Sequence, residues 1–203
     1  MKENFDTEME RSIAEWGEGK RLLLHACCAP CAAGCVDRLT PHFSLTFFFY
    51  NPNIASREEY DKRAEELRRF ASSYLPGAEV IVCPYVPQEF LSVSRGLEEE
   101  PERGARCEKC YRLRLSAAAE YAANNGFDAF ATTLTLSPLK NADLLNKIGR
   151  ELAEEKKVRY LVSDFKKRGG NIRSKELCEE FSLYRQNFCG CSFSKNNLKQ
   201  PNF

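Results

Sequence analysis

The chain has 203 residues, a formal net charge of +1 and the apolar, charged, Gly and Pro make-up of an ordinary folded protein, which excludes a disordered or collagenous chain and allows one sizeable core. Its first twenty residues are polar and charged, without the apolar centre of a secretory leader, and no run approaches the roughly 18 apolar residues of a membrane span. A cytoplasmic protein without membrane contact is therefore expected, and its ten cysteines point to metal binding or redox work more than to structural disulfides.

Residues 21–25 read as a short buried strand. Ala29-Pro30 then disfavours helix at Ala29 and suits Pro30 to a first helical turn, so Cys27 and Cys28 fall in a strand-to-helix turn and Cys31 in the turn that follows. Residues 43–50 (FSLTFFFY) have the continuous apolar pattern of a central strand covered on both faces. A helix is expected over 56–75, a third strand over 80–82 and a helix over 86–96. The helix expected over 107–125 stops at Asn124-Asn125-Gly126. Residues 128–136 (DAFATTLTL) read as a fourth strand, 143–157 as a helix, 158–162 as a fifth strand, 168–171 as a turn and 175–181 as a helix.

This alternation predicts an α/β fold, a Rossmann-like doubly wound parallel sheet whose ligand site lies at the carboxyl ends of the strands. The expected organisation is a polar N-terminal extension over 1–20, a single α/β domain over 21–194 and a polar tail over 195–203. Charge is uneven: residues 156–203 hold 11 Lys and Arg against 4 Asp and Glu, a balance of +7, which leaves −6 for residues 1–155. A basic segment of this kind suits a polyanion such as RNA, or is simply a solvated face.

Seven cysteines fall in three groups, Cys27/Cys28/Cys31, Cys107/Cys110 and Cys189/Cys191. The C-x-x-C of Cys107 and Cys110 at a helix start is half of a zinc site, a redox pair or half of an iron–sulfur ligand set. Adjacent Cys27 and Cys28 reach different corners of a cluster more easily than they chelate one small ion, which favours [4Fe–4S] over zinc. Cys189-Gly190-Cys191 suits a strained, easily reduced disulfide, with metal ligation and two free thiols as the other readings. Cys35 and Cys83 read as small buried apolar residues.

Five segments in order, His25-Ala-Cys27-Cys28-Ala-Pro, Phe49-Tyr50-Asn51-Pro52-Asn53-Ile54, Arg106-Cys107-Glu-Lys-Cys110, Thr132-Thr133-Leu134 with Ser137-Pro138, and Tyr184-Arg185-Gln186-Asn187-Phe188-Cys189-Gly190-Cys191, carry a resemblance over residues 21–194. The chain resembles the epoxyqueuosine reductases of the QueH type. That resemblance implies a fold similar to the adenine-nucleotide-hydrolase and PP-loop enzymes, with a metal-binding C-terminal segment and thiols where those enzymes bind phosphate, so that no ATP chemistry is expected. It implies a [4Fe–4S] cluster on Cys27, Cys28, Cys107 and Cys110, an additional iron ion with Cys31 or the Cys189/Cys191 pair among its ligands, and Cys189 and Cys191 as a redox-active pair.

The implied reaction reduces epoxyqueuosine to queuosine at the tRNA wobble position, taking two electrons and two protons and releasing water. His25, beside the thiol turn, is then the first proton donor to consider, ahead of Tyr50 and Tyr184, although a histidine at a strand end is as often structural. The implied partners are a tRNA anticodon loop and a reductant or electron-donor protein. Tyr50, Asn51, Asn53, Thr132, Thr133, Arg185, Gln186 and Asn187 are the expected substrate-binding residues, and Lys166, Lys167, Arg168, Arg173 and Lys175 the expected phosphate contacts. A zinc-stabilised RNA-binding module and an iron–sulfur electron carrier or assembly protein are the alternatives.

Overall fold

Leu22 and Leu24 belong to the core on one face of strand β1 (Lys20–His25) and Leu23 to the core on the other, and all three are fully buried. Side chains alternate along a strand, so such a run has to be covered from both sides. In this computed structural model, which describes residues 3–197, β1 pairs in parallel with β2 (Phe43–Phe49) on one side and with β4 (Ala129–Thr132) on the other. β3 (Glu79–Val82) lies outside β2 and β5 (Arg159–Tyr160) outside β4, giving an all-parallel sheet in the order β3-β2-β1-β4-β5.

Helices α2 (Ala29–Leu39), α3 (Arg57–Tyr74) and α7 (Gly170–Glu180) pack on the face of Leu22, Leu24, Phe47 and Phe49. Helices α5 (Ala105–Asn124) and α6 (Ala142–Lys156) cover Leu23, Phe48 and Phe130. Two shorter helices, α4 (Pro87–Ser94) and α8 (Ser192–Asn197), accompany them. The chain runs outward from β1 to β3 and then returns to β4, so the strand order reverses between β1 and β4. At the carboxyl edge of such a reversal the loops diverge and leave a crevice.

Four local expectations are corrected. Within residues 1–20, α1 (Phe5–Trp16) is a docked helix: Phe5, Met9 and Ile13, four apart among charges, are buried, and Arg38 of α2 binds Asp6 at 2.7 Å and Glu10 at 2.6 Å. The fourth strand ends at Thr132, not at residue 136, because the Thr132 hydroxyl accepts a hydrogen bond from Leu134 N–H at 3.2 Å and starts a 3-10 turn over Thr133–Leu136. β5 is correspondingly short, since beyond the Leu161 N–H bond to Phe130 C=O its partner strand has turned away.

Helix α7 starts at Gly170, where a turn was expected. A Cβ on Gly34 would lie 2.7 Å from the Gly170 carbonyl oxygen, and one on Gly170 would lie 1.9 Å from that of Phe165. Gly34 thus permits the close approach of α2 to α7, and Gly170 the tight turn from Phe165 into α7. Helix α8 runs across the expected start of the polar tail at residue 195, and the rest of that tail, residues 198–203, lies outside the described residues. Among the described residues no helix is long and apolar enough to cross a membrane.

Candidate active site

β1 delivers its chain to the crevice, and Cys28, in extended conformation, caps α2 with Pro30 in the first turn. This turn sets Cys27, Cys28 and Cys31 on one spot: their three sulfurs lie within 4.8 Å of one another, with Cys27 Sγ 3.7 Å from Cys28 Sγ. Thr133 holds the group from the 3-10 turn, accepting from Cys27 N–H at 3.3 Å and directing its hydroxyl at Cys27 Sγ at 3.6 Å. Hydrogen bonds from Cys28 and then Cys31 hold the Cys27 thiol well below its ordinary range against the effect of burial, with help from the charges of Lys140 and Arg114. As the donors in those bonds, Cys28 is pushed up to about 12 and Cys31 is raised.

Cys107 lies in the first turn of α5 and Cys110 in the second, and the helix start is capped by Glu100, which accepts from Ala105 N–H at 3.0 Å. Burial raises both thiols, Cys110 to about 11, and the charge of Cys189 adds to it. Arg106 nails down the acidic loop ahead of them, donating to the carbonyls of Leu97 and Glu98 at 2.9 Å and of Glu100 at 2.6 Å. Cys189 and Cys191 line the same small cavity. Their turn is clamped to the body: Ala55 N–H donates to Gly190 C=O at 3.0 Å and Arg63 Nη1 to Cys189 C=O at 3.2 Å. Gly190 takes φ +111, and a Cβ there would meet Arg63 and Ile54. The structure holds both cysteines as thiols, with a hydrogen bond from Cys191 lowering Cys189 well below its ordinary range and raising Cys191 in return.

A larger cavity, about 380 Å³, opens beside this one and is walled by Cys27, Cys31, Asn51, Arg114 and residues 185–188. Asn53, Glu102, Lys140 and Cys189 line both cavities and mark their junction. Arg114 is fully buried and donates to Asn51 Oδ1, while Asn51 Nδ2 donates to Ala26 C=O at 3.0 Å. Two buried acceptors in the walls, Asn53 Oδ1 and Gln186 Oε1, have no hydrogen-bond partner among the described residues. Buried acceptors in that condition are groups for a ligand to satisfy.

The sequence model of the family described as Epoxyqueuosine reductase QueH matches residues 22–197. The chain belongs to the epoxyqueuosine reductase QueH family. It is 40% identical to the Epoxyqueuosine reductase QueH of Staphylococcus epidermidis over 96% of this chain and 85% of that one. With the QueH of Streptococcus pyogenes serotype M1 the identity is 39%, over 96% and 79%, and with that of Thermotoga maritima it is 35%, over 85% and 89%.

Within this QueH chain the expected site residues divide. Cys27, Cys31, Asn51, Asn53, Arg185, Gln186, Asn187 and Cys189 line the larger cavity, and Cys107, Cys110 and Cys191 the smaller. Cys28 and Thr133 support the thiol turn. His25, Tyr50 and Thr132 line neither cavity. His25 is fully buried with both ring nitrogens occupied, by Thr132 Oγ1 at 2.9 Å and Tyr50 C=O at 3.2 Å, and burial followed by the charge of Arg114 lowers its pKa to about 3. A neutral, enclosed imidazole is a poor proton donor, which favours the structural reading of this residue over the catalytic one. The Tyr50 hydroxyl donates to Glu89 at 2.5 Å and that of Tyr184 to Glu59.

The basic run is also reassigned. Lys166 binds Asp164 and the Thr135 carbonyl, Arg168 binds Asp6, Arg173 binds Asp37 and Lys175 faces Glu179. Arg168 and Lys175 stay more than half exposed, Lys167 makes no ion pair among the described residues, and the run lines neither cavity. The QueH site instead takes its positive charge from Arg63, Arg114 and Lys140, none of which the motifs marked, although Arg114 stands one helical turn after Cys110 and Lys140 two residues after Ser137-Pro138.

Proposed function

We propose that this chain is an epoxyqueuosine reductase acting in the cytoplasm on the wobble nucleotide of a tRNA anticodon loop. The observation that carries the reading is the convergence of the Cys27, Cys28 and Cys31 sulfurs within 4.8 Å at the carboxyl edge of the sheet in a QueH family chain. The strand order β3-β2-β1-β4-β5 supports a Rossmann-like sheet of the adenine-nucleotide-hydrolase and PP-loop kind, in which the thiol turn stands where a phosphate loop would.

The donor set fits a thiolate-bound metal centre. It is all sulfur, which selects iron–sulfur clusters, zinc or Cu(I), and buried Arg114 and half-buried Lys140 offset the negative charge that thiolates bring. In this proposal Cys27, Cys28, Cys107 and Cys110 hold a [4Fe–4S] cluster, and Cys31 with the Cys189/Cys191 segment, the metal-binding C-terminal part of the chain, holds an additional iron. Such a centre supplies single electrons and a Lewis acid for the epoxide oxygen.

The chain's own thiols balance the reaction. Oxidation of Cys189 and Cys191 to a disulfide releases two electrons and two protons, and the epoxide takes up both to become an alkene while its oxygen leaves as water. An electron-donor protein or other reductant then restores the dithiol. Cys191, whose thiol is raised, keeps its proton until that step. Asn53 and Gln186 offer acceptors to the hydroxyl and amine groups of the flipped-out nucleotide, and Arg185 and Asn187 complete the wall.

Anaerobic purification followed by assay on tRNA carrying epoxyqueuosine tests the proposal. A brown protein that bleaches on reduction and converts the nucleotide to queuosine is the expected result. A colourless zinc protein of full stability, inactive on that tRNA, overturns it.

A further inference from the structure

Lys140 stands at the junction of the two cavities with Cys189, and the larger cavity adds Cys27 and Cys31 around it. Its backbone is fixed on both sides: Lys140 N–H donates to Ser137 C=O at 3.2 Å, and the next residue, Asn141, caps α6 by accepting from Leu144 N–H at 3.2 Å. Unlike Lys166, Arg168 and Arg173, Lys140 makes no ion pair with a carboxylate among the described residues. Glu102, the carboxylate at the same junction, is exposed and screened by water. Arg114, the other deep cation, divides itself between Asn51 and the Cys110 thiol. An ammonium on a short, pinned turn, without a carboxylate of its own and facing thiols from two separate segments, has those thiols as its counter-charge.

We propose that Lys140 is a positioning residue, the fixed positive charge between the two thiol groups, and that it sets the reduction potential of the metal centre they hold. This rests on the metal-binding reading proposed above. The sign of the effect follows from charge. A reduced centre carries one more negative charge than an oxidised one, so a nearby cation favours reduction, and inside a protein that attraction is screened far less than in water. Replacing the ammonium by an apolar side chain of similar length makes the centre harder to reduce.

The test uses the full chain, purified anaerobically with its metal centre, as wild type, Lys140→Met and Lys140→Arg, with midpoint potential and metal content measured in each. Lys140→Met is expected to hold metal and to lower the equilibrium constant for reduction about tenfold, about 59 mV toward negative potential for a one-electron couple. Lys140→Arg is expected to restore most of that shift. An unchanged potential in Lys140→Met at equal metal content overturns the proposal, and so does an equal negative shift in both variants, which would trace the effect to packing. If Lys140→Met does not retain metal, Lys140→Gln is titrated in its place and has to show the negative shift. A wild-type chain without a reducible centre overturns the proposed function itself, and this role with it.

Discussion

His25 Nδ1 lies 2.9 Å from Thr132 Oγ1, across the register pair that joins the last residues of β1 and β4. The tautomer follows from the partners: Nε2–H donates to the Tyr50 carbonyl, Nδ1 accepts from the Thr132 hydroxyl, and that hydroxyl accepts in turn from Leu134 N–H. The chain of bonds ties β1, β2 and β4 together just below the crevice. Thr132→Val leaves a buried ring nitrogen unpaired and is expected to cost about 1–3 kcal/mol in urea unfolding. Because His25 titrates far below neutrality, His25→Gln should leave the shape of the pH–rate profile between about pH 5 and 8 unchanged. A profile that loses a limb near neutrality would return His25 to the chemistry.

Arg63 and Glu59 form an ion pair at 2.6 Å in which the side chains are only 2% and 14% exposed. Removing one partner strands a buried charge, so Arg63→Met is expected to destabilise the protein by about 3–5 kcal/mol, and Glu59→Gln combined with it should recover much of that loss. Arg63 also holds the Cys189 carbonyl, so alkylation of Cys189 should accelerate in the single variant, as peptide mass spectrometry would show.

The proposed electron balance makes a stoichiometric prediction. In a single turnover without added reductant, each queuosine formed should be matched by one Cys189–Cys191 disulfide, counted by differential alkylation. Cys189→Ala is expected to abolish turnover, and Cys27→Ala or Cys107→Ala to abolish it together with most of the bound iron. Full activity of Cys189→Ser with a chemical reductant would remove the dithiol from the reaction.

Arg168 and Arg173 bind Asp6 and Asp37 on the surface of the α1, α2 and α7 packing. The two arginines are exposed, Asp6 keeps Arg38 as a partner at 2.7 Å, and pairs with an exposed member contribute about 0–1 kcal/mol each. Arg168→Ala and Arg173→Ala should therefore change stability little and leave the salt dependence of tRNA binding as it is. Arg185→Ala, in the cavity wall, should weaken tRNA binding and flatten that dependence, which titrations at several salt concentrations would reveal.

Cys83 gives a pH prediction outside the proposed ligand set. Its backbone N–H donates to Phe49 C=O at 3.0 Å, and burial, followed by the charge of Glu89, pushes its thiol up to about 11 from 9.0. In the folded chain Cys83 keeps its proton where an ordinary thiol has lost it. Its alkylation at about pH 8 should thus be on the order of a hundredfold slower than in the unfolded chain and should rise as pH climbs toward 11. The same shift weakens folding as pH rises from 9.0 toward 11, because the unfolded thiol ionises first.

The parallel sheet was legible because its signals are local: the LLL run of β1 and the aromatic run of β2 have to be covered on both faces. The end of β4 was not, since TTLTL has strand chemistry throughout and is turned by one hydroxyl bond that sequence does not display. Helix α1 was hidden because Phe5, Met9 and Ile13 are outnumbered by charged neighbours. In the site, the thiols announce themselves by residue type and spacing. Arg63, Arg114 and Lys140 do not, because arginine and lysine are surface residues by default, and only the crossing of distant segments encloses them.

The bond from Arg63 to the Cys189 carbonyl joins residues 126 positions apart. Closing so long a stretch carries a large entropic cost and follows the more local pairing of β1 with β2. The seat of Cys189 is therefore set by α3 and not by the cysteine's own neighbours in the chain, so a substitution in that helix acts on this sulfur as directly as one beside it.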